Sequence, residues 1–411
     1  MHMNLIALAV PFFILSVLAE FLADRWRRTG YYRSNDAINS ISAGTLSQTT
    51  GYFTKVFAYT IWAFVLSNLA LINMDRAWFD SSAGGILLWI VAAVLWDFCY
   101  YWKHRFGHEI SILWAAHAVH HQSEEYNLST ALRQSSSDFL FGWIFYLPLF
   151  VIGFPADVLV TVGAINLLYQ FWVHTRFIDR LGVFDRIFVT PSNHRVHHAQ
   201  NGPYIDKNYG GIFVVWDRIF GTFAEESYDE PVIFGVRKPL ANWNPVWANF
   251  QVYNYLWFDA VKTQHWHDKI GLWFRRTGWR PADMEIAHPK PAVELSSFRK
   301  FDPPISRSRR RYVIAQFLVA MGVTLFIYGL FANGETLAAL IPCFLLWVHL
   351  YALGLLSENR AYASRFEFVR LFLIVPLGLI AMSTEPTTIN MEAGIAISIY
   401  ILISTIWLKR N

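Results

Sequence analysis

Chemistry attaches first to the histidines of this chain. Nine of its fourteen histidines fall between positions 104 and 198, and eight of those nine form three clusters. His104 and His108 stand four apart. His117, His120 and His121 form a His-x-x-His-His word, and His194, His197 and His198 form another. On a helix, positions i and i+3 or i+4 share a face, so His104 and His108 can grip one ion side by side. The adjacent histidines that close each His-x-x-His-His word diverge by about 100° around the axis, so one helix can feed two neighbouring ions. The three clusters supply eight imidazoles, about four for each of two metals. His174, at the end of Phe171-Trp172-Val173-His174, stands where it could complete a site. A lone histidine is ordinarily a hydrogen-bonded polar group. Eight in spaced clusters, beside a bilayer that penalises ionisable groups, point instead to a two-metal centre. His2, His265, His267, His288 and His349 show no such pattern and are not expected to bind metal.

Imidazole suits zinc, copper, iron and nickel alike. Structural zinc sites close with four ligands and often use cysteine, whereas Cys99 and Cys343 lie in apolar runs with no spacing pattern. Soluble di-iron carboxylate proteins use paired Glu-x-x-His words. Here the spacing occurs at Glu285 and His288 without a partner, which excludes that architecture. Each ligating imidazole needs a group to orient it through its other N–H. Asp97, Glu109, Glu124, Glu125, Asn127, Asp138, Asp206 and Asp217 are the nearby candidates in sequence.

The elements that position these histidines belong to a membrane protein. Hydrophobic residues make up 55% of the 411, aromatic residues 17% and charged residues 16%, against about 25% charge in soluble domains. The apolar excess is gathered into runs long enough to cross a bilayer: residues 4–22, 52–72, 85–101, 312–330, 336–356, 368–382 and 394–408. A shorter pair, 139–152 and 158–173, flanks the turn signal Gly153-Phe154-Pro155-Ala156-Asp157 and is expected to be a tilted or re-entrant hairpin. Residues 4–22 lack a basic leader and a small-residue cleavage site, so they are expected to be a retained span. If the chain crosses at each run, Arg25, Arg27, Arg28, Arg33, Lys103, Arg105, Arg360, Arg365, Lys409, Arg410 and the basic stretch 175–311 fall on one side. The opposite side carries Arg76 as its sole basic residue. The positive-inside rule makes the histidine side cytoplasmic. Within 175–311, the apolar positions of 246–261 recur at helical spacing suited to the interface. Arg307, Arg309, Arg310 and Arg311 form a juxtamembrane anchor. A net charge of +4 gives a nucleic-acid partner no support.

With these residues in hand, the chain resembles the fatty acid hydroxylase/sterol desaturase superfamily, whose hallmark is three such histidine boxes. Within it, the flanking words are most similar to those of the alkylglycerol monooxygenases. These words run from Trp114 through His117 to Gln134, from Asn166 to His174, from Pro191 to His198, from Ile205 to Gly211 and from Trp216 to Phe223. The resemblance is strong over about residues 85–225, and the extra C-terminal spans suit it. It implies the eight boxed histidines as iron ligands, and Glu109 and Tyr209 as residues important to the site. It further implies two iron ions, O2, a lipid substrate, and tetrahydrobiopterin or another electron donor. Read from the sequence alone, Glu109 could equally be a solvated helix-end carboxylate, and Tyr209 could simply pack beside Gly210-Gly211.

The expectation is an all-α multi-pass membrane protein with about seven to nine membrane helices and a cytoplasmic histidine-rich helical cap holding a di-metal site. Four parts are expected: N-terminal membrane helices (1–84), a catalytic domain (85–225), a basic interfacial region (226–311) and C-terminal membrane helices (312–411). The expected activity is O2-dependent hydroxylation of a lipid C–H bond, with cleavage of alkylglycerol ether lipids the specific form. The alternatives are a sterol or fatty acyl hydroxylase or desaturase of the same superfamily and, from another class, a histidine-lined metal transporter. Transporters place ionisable groups near the bilayer midplane, whereas these boxes lie at span ends.

Overall fold

A computed structural model describes residues 5–80, 83–291, 294–384 and 391–409. His2 lies outside them, as do parts of the loops expected at 73–84 and 383–393. The described residues are helical, with isolated backbone bridges and no strand. The chain divides into two compact units, residues 1–240 with 249–299, and residues 241–248 with 300–411.

The first unit begins with α1 (Leu5–Arg27), α2 (Ser34–Leu69), α3 (Ala83–Glu109) and α4 (Ser111–His121). It continues with the short α5 (Leu128–Ala131) and α6 (Leu147–Ile152), then α7 (Ala156–Trp172), α8 (Pro191–His197) and α9 (Val215–Ile219). The helices α10 (Pro245–Lys262), α11 (Trp266–Phe274) and α12 (Ala282–Ala287) follow, α10 starting in the second unit.

The 27 residues of α3 make a rod of about 40 Å. Its outer half turns Ile86, Leu87 and Ile90 outward, as lipid contact requires, and packs Ala92, Trp96 and Cys99 into a core with Val65, Phe150, Val158 and Val162. Trp96 stacks on Tyr146 with ring centroids 4.0 Å apart. Beyond the apolar half the same helix carries His104 and His108, so a span hands its end directly to the site. The extended backbone of Ile110 (φ −115°, ψ 126°) then breaks the helix, and α4 starts at once in a new direction.

The turn between α6 and α7 falls at Gly153, where φ is +107° and a Cβ would strike the Ile72 carbonyl. The helix α2 is longer than the apolar run 52–72 suggests. Its first half is polar and buried, with Asn35, Asp36, Asn39, Ser40 and Thr45 turned inward. Such a segment carries no apolar periodicity, because its partners are polar groups of 122–133 rather than lipid.

The second unit holds α13 (Arg307–Ala332), α14 (Leu340–Ser357), α15 (Ala363–Thr384) and α16 (Met391–Lys409). Its interior is tied by a polar knot. Arg370 pairs with Glu367 at 2.7 Å, the Tyr312 hydroxyl donates to Glu367 at 2.7 Å, and Gln316 bonds Ser404 at 2.9 Å. Among the described residues three helices are long and apolar enough to cross a membrane: α3, α13 and α14. Shorter apolar helices lie at Gly142–Ile152, Ala156–Trp172 and Gly394–Lys409. The chain is thus an integral membrane protein.

Candidate metal centre

The structure draws all nine histidines of 104–198 into two groups. His104, His108, His117, His121 and His197 form one, and His120, His174, His194 and His198 the other. Within each group the ligating nitrogens all lie within 4.8 Å of one another. The adjacent pairs split as helix geometry requires, His120 from His121 and His197 from His198. His174, at the foot of α7, joins the four-membered group, so the division is five and four rather than four and four. Of the remaining described histidines, none joins a group. His265 and His267 stack on each other, His349 is buried within α14, and His288 packs against Phe258.

Four imidazoles are anchored through Nδ1 to backbone carbonyls: His104 to Tyr209 at 2.8 Å, His120 to Arg133 at 2.8 Å, His174 to Gln170 at 2.8 Å and His197 to Lys207 at 3.0 Å. A carbonyl only accepts, so each of these Nδ1 atoms carries the hydrogen and each Nε2 presents a bare lone pair. The Nε2 atoms of His120 and His174 nevertheless face each other at 3.2 Å. Two lone pairs cannot hydrogen-bond; a cation between them removes the conflict. The buried Nε2 atoms of His104 and His197 have no hydrogen-bond partner at all. Nitrogens bound at 2.0–2.1 Å to one ion stand about 2.9–3.4 Å apart at octahedral to tetrahedral angles. The contacts here are 3.1 Å for His108–His121 and His117–His121, 3.0 Å for His174–His194 and 3.2 Å for His194–His198. The donor set therefore fits two metal ions. Burial pulls the imidazoles of His117, His121, His174, His194 and His198 well below their usual pKa, His120 down to about 4 and His197 to about 3. They are neutral at pH 7, which is the ligating form.

The carbonyls that orient the imidazoles are themselves held. Arg133, fully buried, donates from Nε to the Val119 carbonyl at 2.6 Å, from Nη2 to Gln122 at 3.1 Å, and to Asn39. It closes the carboxy end of α4 while its own carbonyl takes the His120 proton. The segment 207–211 is clamped by Asp217, which accepts from the backbone N–H of Tyr209 and Gly210 at 2.7 and 2.8 Å and from Thr222 at 2.7 Å. Asp97 on α3 accepts from Ile212 at 2.7 Å, Asn166 at 2.6 Å and the Trp216 indole at 3.0 Å. Gly211 passes so close to α3 that a Cβ would lie 2.7 Å from Asp97 Oδ1.

The other polar candidates sit further out. Glu124 and Glu125 pair with Arg33 at 3.2 and 2.6 Å, Asn127 caps α5, and Asp138 pairs with Lys103 at 2.8 Å. Glu109 pairs with Arg105 at 3.0 Å. Its carboxylate and that of Asp206 flank the buried Tyr209 hydroxyl, and burial and these charges raise the phenol pKa. The Tyr209 ring centroid lies 5.3 Å from that of His108. Sequence reasoning gave no role to Arg133 or to the carbonyls of Gln170 and Lys207. Carbonyl anchors carry no residue-type signal; an arginine twelve residues past a histidine box was the one visible trace.

A chamber of about 440 Å³ opens against this centre. His108, His121, His197 and His198 form one wall, and α10 forms another through Gln251, Tyr255 and Asp259.

A fatty acid hydroxylase family model matches residues 89–222, the segment that holds all nine grouped histidines. The chain is 36% identical to an alkylglycerol monooxygenase of Danio rerio over 97% of its own length and 87% of the relative's. It is 35% identical to the alkylglycerol monooxygenase of Homo sapiens over 90% of this chain and 81% of that one. An ornithine lipid hydroxylase of Rhizobium tropici is 33% identical over 37% of this chain and 46% of its own length. No solved structure matches the chain significantly. The histidine groups, the family match and the near-full-length likeness agree: the chain belongs to the fatty acid hydroxylase family, with the alkylglycerol monooxygenases, and is an O2-dependent lipid-hydroxylating monooxygenase.

Proposed function

We propose that this protein holds two iron ions, one in each histidine group, and hydroxylates the carbon next to the ether oxygen of an alkylglycerol-type lipid. The observation that carries the reading is the set of carbonyl-anchored imidazoles with bare Nε2 atoms, two of them facing at 3.2 Å. The relatives' activity supports the choice of an ether lipid. When bound, the metals supply reductive activation of O2; the overall change takes one oxygen atom into the C–H bond and reduces the other to water with two electrons and two protons. The product is a hemiacetal, which collapses to an aldehyde and glycerol.

The chain's own residues do the positioning. The carbonyls of Tyr209, Arg133, Gln170 and Lys207 fix four rings; Asp217 holds the backbone on either side of the Tyr209 carbonyl, and the Arg133 side chain ties its own residue to the end of α4. Tyr209 acts as a positioning residue through its carbonyl, and Glu109 acts on it from the Arg105 side. The chamber beside His108 and His197 admits the reacting end of the lipid. The basic residues at span ends favour a cytoplasmic site, and the apolar runs favour about seven to nine membrane helices. The resemblance to alkylglycerol monooxygenases favours a tetrahydropterin as the electron donor; no residue is assigned to hold it.

The test is metal content and O2-dependent turnover of the detergent-purified protein, given an alkylglycerol with and without a tetrahydropterin. Iron near two per chain with pterin-dependent aldehyde release is expected. Iron without aldehyde would move the substrate to sterols or fatty acyl chains; no iron under any reconstitution would refute the centre.

A further inference from the structure

We propose that the chamber's mouth is an anion site that reads a phosphate on the polar end of the lipid, so that a phosphate-bearing ether lipid is held in preference to its neutral counterpart. This rests on the reading of the chamber as the lipid site.

Six charged side chains line the chamber: Arg237, Lys238, Arg280 and Lys290 against Asp206 and Asp259. Both carboxylates are already engaged. Asp259 receives the Arg280 guanidinium on both oxygens, at 2.7 and 2.8 Å, and Asp206 faces Arg276 at 3.5 Å. Arg237, Lys238 and Lys290 are left with no ion pair among the described residues. Arg237 Nε reaches only the Gln200 carbonyl at 3.4 Å, and the Lys238 ammonium rests over the Tyr255 ring, 3.0 Å from its centroid. Around the Lys238 ammonium stand the like charges of Lys290 and Arg280 with Asp259 as counter-charge, and around Lys290 stands Arg280 with Asp259 and Glu285 opposing it. A group with two negative charges would relieve that repulsion and accept several charge-assisted hydrogen bonds.

Burial sets the direction in which a ligand would lie. The histidines of the chamber are buried, whereas Arg237, Lys238 and Lys290 are exposed. Trp114, Val252, Leu256 and Trp279 add apolar surface to the same walls. A lipid whose ether carbon meets the histidine wall would present its headgroup to the cations. The volume of about 440 Å³ suits a polar head with the first carbons of a chain.

The experiment uses full-length protein in zwitterionic nanodiscs without O2, so that binding is read apart from turnover. The probes are a 1-alkylglycerol and the same molecule carrying a 3-phosphate. The phosphate form is expected to bind roughly tenfold tighter or more. The double substitution Lys238→Gln with Lys290→Gln, at two exposed positions, is expected to erase that preference, read as the ratio of the two probes' affinities in the same variant. Equal affinity for the two probes, or a preference that survives the double substitution, would overturn the proposal. So would a lysine-dependent gain in neutral-lipid binding when anionic phospholipid is added to the nanodisc, since the cations would then serve the bilayer surface. Competition by free glycerol 3-phosphate that is lost in the double variant supports the site and separates the headgroup from the chain. Lack of turnover of both lipids in O2 would defeat the hydroxylase reading while leaving this binding result to stand or fall alone.

Discussion

His120 and His121 are neighbours in sequence and belong to different histidine groups, which makes a paired substitution informative. His120→Ala removes one imidazole of four, leaving His174, His194 and His198. It also strips the Arg133 carbonyl of its donor, at a cost of about 1–3 kcal/mol if no water replaces it. His121→Ala removes one of five and leaves four imidazoles, enough for a closed tetrahedral set. Loss of an outer-shell partner alone lowers metal affinity by about 10–100-fold, so loss of a ligand from the four-membered group should cost at least ~100-fold, or roughly 2.7 kcal/mol. Metal analysis of the purified variants, with circular dichroism to check helix content, should show His120→Ala near one ion per chain and His121→Ala closer to two, at about micromolar free metal. Turnover should fall in both. If the two variants lose metal to the same extent, the division into two groups is wrong.

Arg133→Met should destabilise the protein by about 3–5 kcal/mol, because it leaves the Val119 carbonyl, Gln122 and Asn39 without their buried donor; an unchanged unfolding midpoint would refute the clamp. Asp217→Ala removes the acceptor of the Tyr209 and Gly210 amides and should cost roughly 2–4 kcal/mol, with weaker metal retention because the Tyr209 carbonyl no longer holds His104. Denaturant unfolding read alongside metal content checks this, and loss of neither would count against it. For the metal-free protein, burial places His120 at about 4 and His197 at about 3, below the 6.5 of an exposed imidazole. The unfolded chain therefore binds protons first, so their contribution to stability is complete above about pH 6.5 and is lost as pH falls toward 4 and then 3. Denaturant unfolding of chelated protein from pH 7.5 to pH 5 should show this decline; a flat profile would contradict it.

The histidine boxes were legible because their information is local. A spacing of three or four residues fixes which imidazoles share a helix face, and adjacency fixes which must diverge; neither depends on the rest of the chain. The apolar runs were legible for a similar reason, since a bilayer imposes length and composition on each segment separately. Sequence therefore sufficed for a helical membrane protein whose clustered histidines could bind metal. The tertiary structure decided everything that joins segments distant in the chain. It placed His174 with His120, His194 and His198, the first of these fifty-four positions away in the chain, and so made the groups five and four. It supplied the anchors of His104, His120, His174 and His197 from backbone carbonyls, which every residue type carries and no sequence pattern reveals. It turned the polar first half of α2 inward, where a buried hydrogen-bond network takes the place of apolar periodicity. It also set Lys238 and Lys290 at one mouth while Asp259 and Arg280 neutralised each other, because whether a charge is spent or spare depends on which opposite charge the fold brings within reach.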